Sequence, residues 1–466
     1  MNYYRLFLVK AVDLLRTGGT CGFIIPMGFL GDEHSLDARK HVMSLAQFTR
    51  VEIFPHKDNP EKRVFREAKL STCICVFRKT RKDAKRESFQ LRVHPFGWID
   101  ERVPIVTIGY DDISKLSPHL MGFPVRPLIC NDEIQLAIRI GAKNTKLSEY
   151  GTSNQGEVNV TSDSKMILKL GKRSDLPPKY SETMRGAYVN RYLLLSEPKQ
   201  GEYYYLDTEE FLVDSPDNDT KSNDHRYPRV GYQRGSAIDN WRRIIATMIP
   251  PGKYCCDTVN YITRPNRISL EFILAFLNSA LAEWRFRITS CTNHVNSYEI
   301  DNLPLPAIDT TSPADESEVN HLSRLFDGAN DNRMILDRLK ESPPASRTVH
   351  DFLGYLAKAM VERSHVRYLL ENLVADRLTT GSQDRIDALS NLASLEPDMP
   401  DNITVIKEIA QKHIRLIGER LARTDDLIDH VVYYMFELSD SEINTIGRSF
   451  ELVQTNLLDA SEGQDE

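Results

Sequence analysis

The spacing of apolar residues predicts that the chain begins with alternating helices and strands. Tyr3–Leu15 repeats apolar side chains at helical spacing and stops at Gly18 and Gly19. Short apolar runs typical of buried strands follow at Cys21–Pro26, Thr49–Phe54 and Ser71–Phe77, with a helical pattern at Asp32–Phe48 between the first two. Phe89–Val93 is expected to form a hairpin with the third strand. These elements predict half of a doubly wound α/β sheet with an exposed apolar strand edge.

The pattern changes twice further along the chain. Residues 130–310 are dense in glycine and proline between short, irregular strands, and one long helix is predicted at Leu270–Arg287. This composition predicts an α+β region rich in surface loops. From residue 319 the pattern is helical, with predicted helices at Asp351–Leu378, Ile403–Leu421, Leu427–Phe436 and Ser441–Leu452.

Composition places the chain among globular proteins. It has 466 residues, of which 41% are hydrophobic and 27% charged, so about three domains are expected. No apolar run approaches the ~20 residues that span a bilayer, and Met1–Lys10 lacks the basic head and apolar core of a secretory signal. Seven cysteines at irregular spacing favour a reduced protein. We therefore expect a cytoplasmic protein without a membrane partner.

Charge is distributed unevenly along the sequence. Residues 1–100 carry a net +7, residues 101–310 a net −1 and residues 311–466 a net −13. A polyanionic partner would therefore dock on the first two parts, because the acidic third part repels it. An acidic helical tail is also a common solubilising surface, so charge alone leaves nucleic-acid binding open.

Several segments, taken in order, resemble one enzyme family. Residues 1–80, through Leu14–Leu30 and Lys62–Lys79, resemble the second half of a gamma-type, TaqI-like, adenine-specific DNA methyltransferase domain. Further segments resemble that family's target-recognition domain: Gln155–Thr161, Met184–Leu194, Ala275–Arg287 and Ile300–Ile308. Leu427–Ile446 resembles the close of the helical tail in members from type II restriction-modification systems.

The resemblance implies a multidomain α/β and α+β fold in three parts. Residues 1–110 would be the distal half of a Rossmann-like methyltransferase sheet, residues 125–310 the mixed target-recognition domain, and residues 319–455 the α-helical tail. It also implies double-stranded DNA as partner and S-adenosylmethionine as cofactor.

The family's cofactor and catalytic motifs are missing from this sequence. The family uses a glycine-rich turn for S-adenosylmethionine and a tetrad of Asn, Asp or Ser, two prolines and an aromatic residue for the target adenine. Of the proline pairs, Ser342-Pro343-Pro344 has a suitable first residue, but Ala345 follows instead of an aromatic one. No catalytic or cofactor-binding residue is therefore assigned.

Phe65 is the one candidate for contact with a flipped base. In the family a phenylalanine just before the strand resembling Ser71–Phe77 forms one wall of the pocket that holds the extruded base. The match here is Phe65, within Val64-Phe65-Arg66. The alternative is an ordinary core phenylalanine at a strand entrance.

Candidate DNA contacts concentrate in His225–Arg243. This stretch holds five arginines and one acidic residue, interleaved with Tyr227, Tyr232 and Trp241. Arginine binds phosphate bidentately and reads guanine in the major groove, whereas the alternative is a strand with a solvated basic edge. The predicted contacts are Arg226, Arg229, Arg234, Arg242 and Arg243, joined by Lys172, Arg173, Arg185, Asn293 and His294.

Metal binding is not predicted, because Cys73–Cys75, Cys255–Cys256 and Cys291 with His294 lack the paired spacing of a zinc site. The sequence thus predicts the C-terminal, DNA-recognising portion of a site-specific adenine DNA methyltransferase. A separate chain carrying the catalytic half would complete it. Two alternatives stay open: a non-catalytic DNA specificity or scaffold subunit, and an inactive fragment.

Overall fold

The architecture was analysed in a computed structural model of the chain. It describes residues 2–81, 83–213, 221–309, 311–328, 331–397 and 402–462, with side chains described as far as Glu451. The predicted helical domain at 319–455 therefore includes two short segments, 329–330 and 398–401, that lie outside the described residues.

A five-stranded sheet forms the first part of the chain. Its strands are β1 (Thr20–Pro26), β2 (Ala46–Phe54), β3 (Thr72–Lys79), β4 (Phe89–Val93) and β5 (Val106–Ile108), and helices α1 (Tyr3–Leu14) and α2 (Leu36–Leu45) precede β1 and β2. The spatial order is β1-β3-β2-β4-β5. Because β3 pairs antiparallel with both neighbours, β1 and β2 run in the same direction on either side of it.

The predicted hairpin between β3 and β4 is wrong. β4 pairs instead with β2, in parallel, with Val51 opposite Leu91. The charged segment between β3 and β4 therefore crosses over β2 rather than making a tight turn. Local apolar spacing identifies a strand but cannot identify its partner, since pairing joins residues about forty positions apart here.

The predicted exposed edge is confirmed at β1 and α1. Within the described residues β1 pairs only with β3, so its other side presents unpaired backbone groups. Ile24 on this strand is 45% exposed. On α1, Leu8 and Val12 are buried, whereas Tyr3, Phe7 and Leu14 are each at least two-thirds exposed. Strand and helix together leave a substantial apolar surface uncovered. We call it the α1–β1 face.

The middle part combines short strands in several sheets. Its helices are α3 (Tyr110–Leu116), α4 (Asn131–Lys143), α5 (Thr208–Leu212), α6 (Leu270–Leu277), α7 (Ala280–Thr289) and α8 (Ser297–Asp301). Its strands are β6 (Thr145–Lys146), β7 (Ser153–Gln155), β8 (Ile167–Leu170), β9 (Tyr180–Met184), β10 (Val189–Asn190), β11 (Leu193–Leu194), β12 (Tyr203–Asp207), β13 (Arg229–Gln233), β14 (Ala246–Ile249), β15 (Tyr254–Cys255), β16 (Val259–Thr263) and β17 (Pro304–Leu305).

Two four-stranded sheets dominate this part. Their strand orders are β14-β13-β16-β7 and β15-β9-β12-β8. Two-stranded pairs form between β10 and β11 and between β6 and β17.

The single long helix predicted at Leu270–Arg287 is two helices. The break falls at Asn278 and Ser279, both buried. The Ser279 hydroxyl accepts a hydrogen bond from the Ala282 N–H and so caps α7. The Asn278 side chain exchanges two hydrogen bonds with the backbone of Ala246, at the start of β14. Continuous apolar spacing hid this break, because α6 and α7 are both buried.

The last part is helical, as predicted. It comprises α9 (Glu316–Gly328), α10 (Arg333–Leu339), α11 (Arg347–Val374), α12 (Gln383–Leu395), α13 (Ile403–Met435) and α14 (Asp440–Glu462). The two helices predicted at Ile403–Leu421 and Leu427–Phe436 are one continuous helix, α13, because no breaker separates them. The mixed α/β fold with several sheets and a helical C-terminal region agrees with the predicted fold class.

The three parts share one hydrophobic core. A single cluster of buried residues runs from Leu8 of α1 through Trp284 of α7 to Ile446 of α14. The acidic helices are also tied in by polar contacts: Arg191 pairs with Asp425 at 2.6 Å, and the Ala280 N–H donates to Asp429 at 2.7 Å. In the described part of the chain, none of the helices is long and apolar enough to cross a membrane.

Neighbouring positions on α1 allow the exposed face to be tested. Leu8→Ala should lower the free energy of unfolding by about 2–5 kcal/mol, because Leu8 is fully buried. Phe7→Ala should change it by no more than about 0.5 kcal/mol and should reduce self-association. Urea denaturation and light scattering measure the two effects. A large loss of stability in Phe7→Ala would mean that the α1–β1 face is part of the core.

Candidate nucleic-acid interface

The loop between β2 and β3 carries Phe65 and a concentration of basic side chains. Residues 55–71 include Lys57, Lys62, Arg63, Arg66 and Lys69. Arg63 is used inside the loop, where its guanidinium donates to the carbonyls of Asp58 and Arg66 at 3.0 and 2.8 Å. The chain at Gly97 lies directly against this loop, since an added Cβ would come within 2.3 Å of the Arg63 carbonyl oxygen. The hydrogen bonds of Arg63 and the packing of Gly97 thus hold the loop in place despite its polar sequence.

Phe65 lies on the surface of this loop. It is 46% exposed, next to exposed Arg66, so the alternative of a core phenylalanine does not apply. A second exposed aromatic side chain, Trp98, stacks on Phe96 with ring centroids 4.6 Å apart. Exposed aromatic rings beside cations suit stacking on nucleic-acid bases.

Two polar contacts join the loop to the middle part. His56 Nδ1 lies 2.7 Å from Asp239 Oδ1, and the Asn293 side chain donates to Asp58 at 2.7 Å. Burial alone would raise the pKa of Asp239, but its hydrogen bond to His56 and the nearby positive charges lower it. Asp239 is therefore held ionised. The contacts bring the basic loop beside the segments 234–240 and 291–295.

The segments 234–240 and 291–295 lie side by side, and the first of them lines a groove through Gly235 and Asn240. The Ser236 N–H donates to the Asn293 carbonyl at 2.9 Å, and the Val295 N–H to the Arg234 carbonyl at 2.8 Å. Burial lowers the pKa of His294, and the charges of Arg234 and Lys57 lower it further. Three basic side chains from two parts of the chain thus converge where His294 is exposed.

The groove continues from Gly235 toward β12. It is lined by polar and basic side chains, including Arg185, Lys199, Gln233, Asn240 and Tyr204. The Arg185 guanidinium stands 4.4 Å from the centre of the Tyr204 ring and donates to the Gln200 carbonyl at 3.0 Å. We call this surface, from the loop at residues 55–71 through His294 to Arg185, the basic groove.

The buried carboxylate of Glu283 fixes the backbone that supports one wall of the groove. Glu283 accepts hydrogen bonds from the N–H groups of Arg243 and Ile244, at 3.0 and 2.8 Å, and pairs with Arg287. Arg287 in turn donates to the carbonyls of Ile238 and Trp241. Burial would raise the pKa of Glu283, but the surrounding arginines and N–H groups lower it, so the group stays charged.

Two predicted DNA contacts need correction, because their side chains are used inside the protein. Arg243 is buried and donates to Ser290 Oγ at 2.9 Å and to the Thr292 carbonyl, so it positions the strip that carries Asn293 and His294. Arg229 is fully buried in an ion pair with Glu157. Arg242 is half-buried over the Phe450 ring of α14, at 5.3 Å, and its DNA contact stays a prediction.

The other predicted contacts divide into two groups. Arg185, Arg234, Asn293 and His294 come together at the basic groove, although the amide nitrogen of Asn293 is already used by Asp58. Lys172, Arg173 and Arg226 are exposed but do not line the groove, and Arg173 pairs with Glu182 at 3.2 Å. DNA contact by these seven residues stays a prediction.

Sequence reasoning missed several groove residues. Lys57, Lys199, Gln233 and Asn240 carry no motif, and only the folding of distant segments brings them together. The excess of basic residues in 1–100 was the one signal that pointed to the loop at residues 55–71.

Comparison with known proteins adds structural likenesses only. No protein-family model matches the chain, and no curated protein matches it. Among solved structures, the chain is similar to the Type IIL restriction-modification enzyme MmeI in complex with DNA, at 10% identity and a TM-score of 0.47, over 98% of this chain and 52% of that one. It is also similar to the type IIG restriction endonuclease BpuSI, at 12% identity and a TM-score of 0.27, over 91% and 50%. The chain spans about half the length of either enzyme.

Arg229 should prove structural. Arg229→Ala should lower the free energy of unfolding by about 3–5 kcal/mol at neutral pH, because the buried Glu157 loses its counter-charge. Burial already raises the pKa of Glu157 in the folded protein, and loss of Arg229 raises it further. A carboxyl group whose folded pKa exceeds its unfolded value takes up a proton on folding, so folding is favoured as pH falls. The difference in the free energy of unfolding between wild type and Arg229→Ala should therefore become smaller as the pH falls from 8 to 5.

Denaturation of wild type and variant at both pH values measures this effect. The double variant Arg229→Met with Glu157→Leu is the matched control, since it removes both charges and should recover most of the stability. A fully stable Arg229→Ala protein with weakened DNA binding would return Arg229 to the list of DNA contacts.

Proposed function

We propose that this chain recognises double-stranded DNA through the basic groove. We further propose that it does so as the DNA-reading portion of a site-specific, adenine-specific DNA methyltransferase that uses S-adenosylmethionine. The observation that carries the DNA proposal is the convergence of Lys57, Arg234 and His294 from two parts of the chain. The sequence resemblance supplies the methyltransferase class.

The chemistry of the groove suits duplex DNA. Arg185, Arg234, Lys57 and Lys199 provide cations for phosphate, and arginine also reads guanine in the major groove. Gln233 and Asn240 add amide groups of the kind that pair with adenine edges. The Gln233 amide nitrogen already donates to the Val189 carbonyl at 2.6 Å, which leaves its oxygen as an acceptor.

Phe65 is proposed as a wall for a flipped adenine. Enzymes that act on a base in a duplex rotate it out of the stack and hold it against aromatic or apolar surfaces. The exposure of Phe65 and its place on the basic loop support this role. No proton transfer or nucleophile is assigned to this chain, because the resemblance supplies only a stacking contact here.

The turn that follows β1 leaves little room for S-adenosylmethionine. Cofactors of open α/β sheets bind at the carboxyl ends of the strands. After β1 that position holds Gly28 and Gly31, but a Cβ on Gly31 would lie 3.1 Å from both Cys291 Sγ and the Thr289 carbonyl oxygen. Protein atoms thus fill the space beside this turn. Gly18 and Gly19 lie at the opposite end of β1. The cofactor site is therefore proposed to lie on a different segment.

The α1–β1 face is the proposed attachment surface for that segment. An edge strand with unpaired backbone groups pairs readily with another strand. Flanking apolar side chains at Phe7, Leu14 and Ile24 would bury against a helix packed beside it. A purely DNA-binding specificity or scaffold subunit would use the same groove but would have no need for this face. The exposed face therefore favours a chain completed by a catalytic half.

The groove is tested by binding to DNA duplexes. Arg234→Ala and Arg185→Ala should each weaken binding by about 1–3 kcal/mol if the side chain contacts a base. A phosphate contact should instead lower the salt slope by about 1 without changing sequence preference. Fluorescence anisotropy across a salt series separates the two. Arg448→Ala, at an exposed position on α14, is the control and should bind like wild type.

Unchanged binding in both groove variants would place the recognition surface elsewhere.

The variant Phe65→Ala tests whether Phe65 stacks on a flipped base or only adds to DNA affinity. It should reduce the fluorescence gain of a duplex with 2-aminopurine at the target adenine, once the recognised site is known. The affinity for the duplex should fall less than the fluorescence gain does, because Phe65 stabilises the flipped base rather than the contact with the duplex as a whole.

The methyltransferase proposal predicts an incomplete enzyme. The isolated chain should neither bind S-adenosylmethionine nor transfer its methyl group to DNA, since its sequence carries neither the glycine-rich cofactor turn nor the catalytic tetrad. Calorimetry with the cofactor and a tritium-methyl assay on mixed DNA measure this. Clear turnover by the pure chain would refute the assignment of the cofactor site to another segment. If the groove variants bind DNA as well as wild type does, that result refutes DNA recognition by the basic groove and leaves the methyltransferase proposal untouched.

A further inference from the structure

A second pocket lies in the middle part, beside Gly31 of the first part and apart from the basic groove. Its walls come from the segment that follows α3, the end of α4, helix α7 and the region of α8. Several of its side chains carry donor groups, among them Lys115, His119, Asn144, Lys146 and Arg285. The cavity measures about 110 Å³. That volume accommodates a few waters or one small oxyanion, but not an extended ligand.

Arg285 is the unusual group in this pocket. Its guanidinium donates to the Leu116 carbonyl oxygen at 2.6 Å, and its Nε atom is buried without a hydrogen-bond partner. Among the described residues no carboxylate forms an ion pair with it. Burial lowers the pKa of Arg285 to about 10, and no neighbouring charge offsets that effect. A desolvated cation without a counter-charge is costly for the fold.

The pocket around Arg285 holds more cations than carboxylates. Lys146 Nζ contacts His119 Nε2 and forms no ion pair among the described residues. Glu299 lines the same pocket, but its carboxylate accepts hydrogen bonds from the N–H and the side chain of Asn296, at 3.0 and 2.9 Å. Lys115, Lys146 and Arg285 thus face a single carboxylate in the lining, and that carboxylate is already held by Asn296.

We propose that this pocket binds a tetrahedral oxyanion of the phosphate type, held by Arg285 and Lys146. Arginine presents two parallel N–H groups to a phosphate, and a lysine adds a third charged donor. The anion supplies the counter-charge that Arg285 lacks. Because the two cations belong to α7 and to β6, and Arg285 also holds the Leu116 carbonyl, a bound anion joins α7, β6 and the end of α3 within the middle part. This site is independent of the proposed DNA function.

The test uses the full chain with inorganic phosphate as probe. Phosphorus NMR and thermal denaturation are followed over a phosphate titration, with sodium chloride matching the ionic strength. We expect saturable binding and a rise in melting temperature. Arg285→Gln and Lys146→Gln should each weaken binding by at least about tenfold, the loss of one charged hydrogen bond. Arg448→Gln is the control and should match wild type. Circular dichroism checks that each variant is folded.

The source of the anion is determined by competition. If deoxyadenosine monophosphate displaces inorganic phosphate, the ligand is a phosphate ester. If it does not compete, the ligand is the free ion. Both results support the proposal. Three results overturn it: no saturable binding by wild type, equal binding by folded Arg285→Gln and Lys146→Gln, or displacement of phosphate by a DNA duplex. The last would make the pocket a contact for the DNA backbone. If Arg285→Gln does not fold, Lys146→Gln and the wild-type titration decide.

Discussion

The buried Glu283 carboxylate is the interaction on which the groove wall depends. It sits in α7, directly after the break at Asn278 and Ser279, and accepts hydrogen bonds from consecutive N–H groups at Arg243 and Ile244. Its pairing with Arg287 fixes the segment 238–241, and Arg243 fixes the strip at 290–294. A buried charge of this kind is stable only when several donors surround it.

Arginine serves two purposes in this protein. Arg229 and Arg243 are buried, where the planar guanidinium satisfies several carbonyl and carboxylate groups at once. Arg185 lines the groove and Arg234 lies beside it near His294, and neither is fully buried. The distinction matters for function, because removing a buried arginine destabilises the fold whereas removing a groove arginine changes binding. The cluster at His225–Arg243 mixes both kinds within nineteen residues.

The first sheet has two edge strands, since among the described residues β1 pairs only with β3 and β5 only with β4. The loop at residues 55–71, between β2 and β3, reaches across to the middle part. At the β1 edge, β1 and α1 present apolar side chains and unpaired backbone groups. The continuous core through α7 and the acidic helices stabilises the rest of the chain. The α1–β1 face can therefore stay uncovered without unfolding the protein.

Local pattern was sufficient for the elements whose apolar spacing is unambiguous. These elements are the strands at Cys21–Pro26 and Ser71–Phe77 and the helices after residue 319. They were predictable because their apolar residues recur at the spacing of a strand or of a helix. The exposure of a strand edge followed from the count of strands. The basic front of the chain also indicated where cations would collect.

Tertiary structure alone decided the strand partners, the helix break and the fate of each arginine. β4 pairs with β2 because the sheet places them side by side, and no local signal in Phe89–Val93 distinguishes β2 from β3. Arg229 became buried because Glu157, seventy-two positions away, lies opposite it. Arg285 forms no ion pair among the described residues because the fold places the Leu116 carbonyl and Lys146 beside it, while Glu299, which lines the same pocket, accepts hydrogen bonds from Asn296. Charge and hydrophobicity are properties of the sequence, but burial and pairing depend on which distant residues the fold brings together.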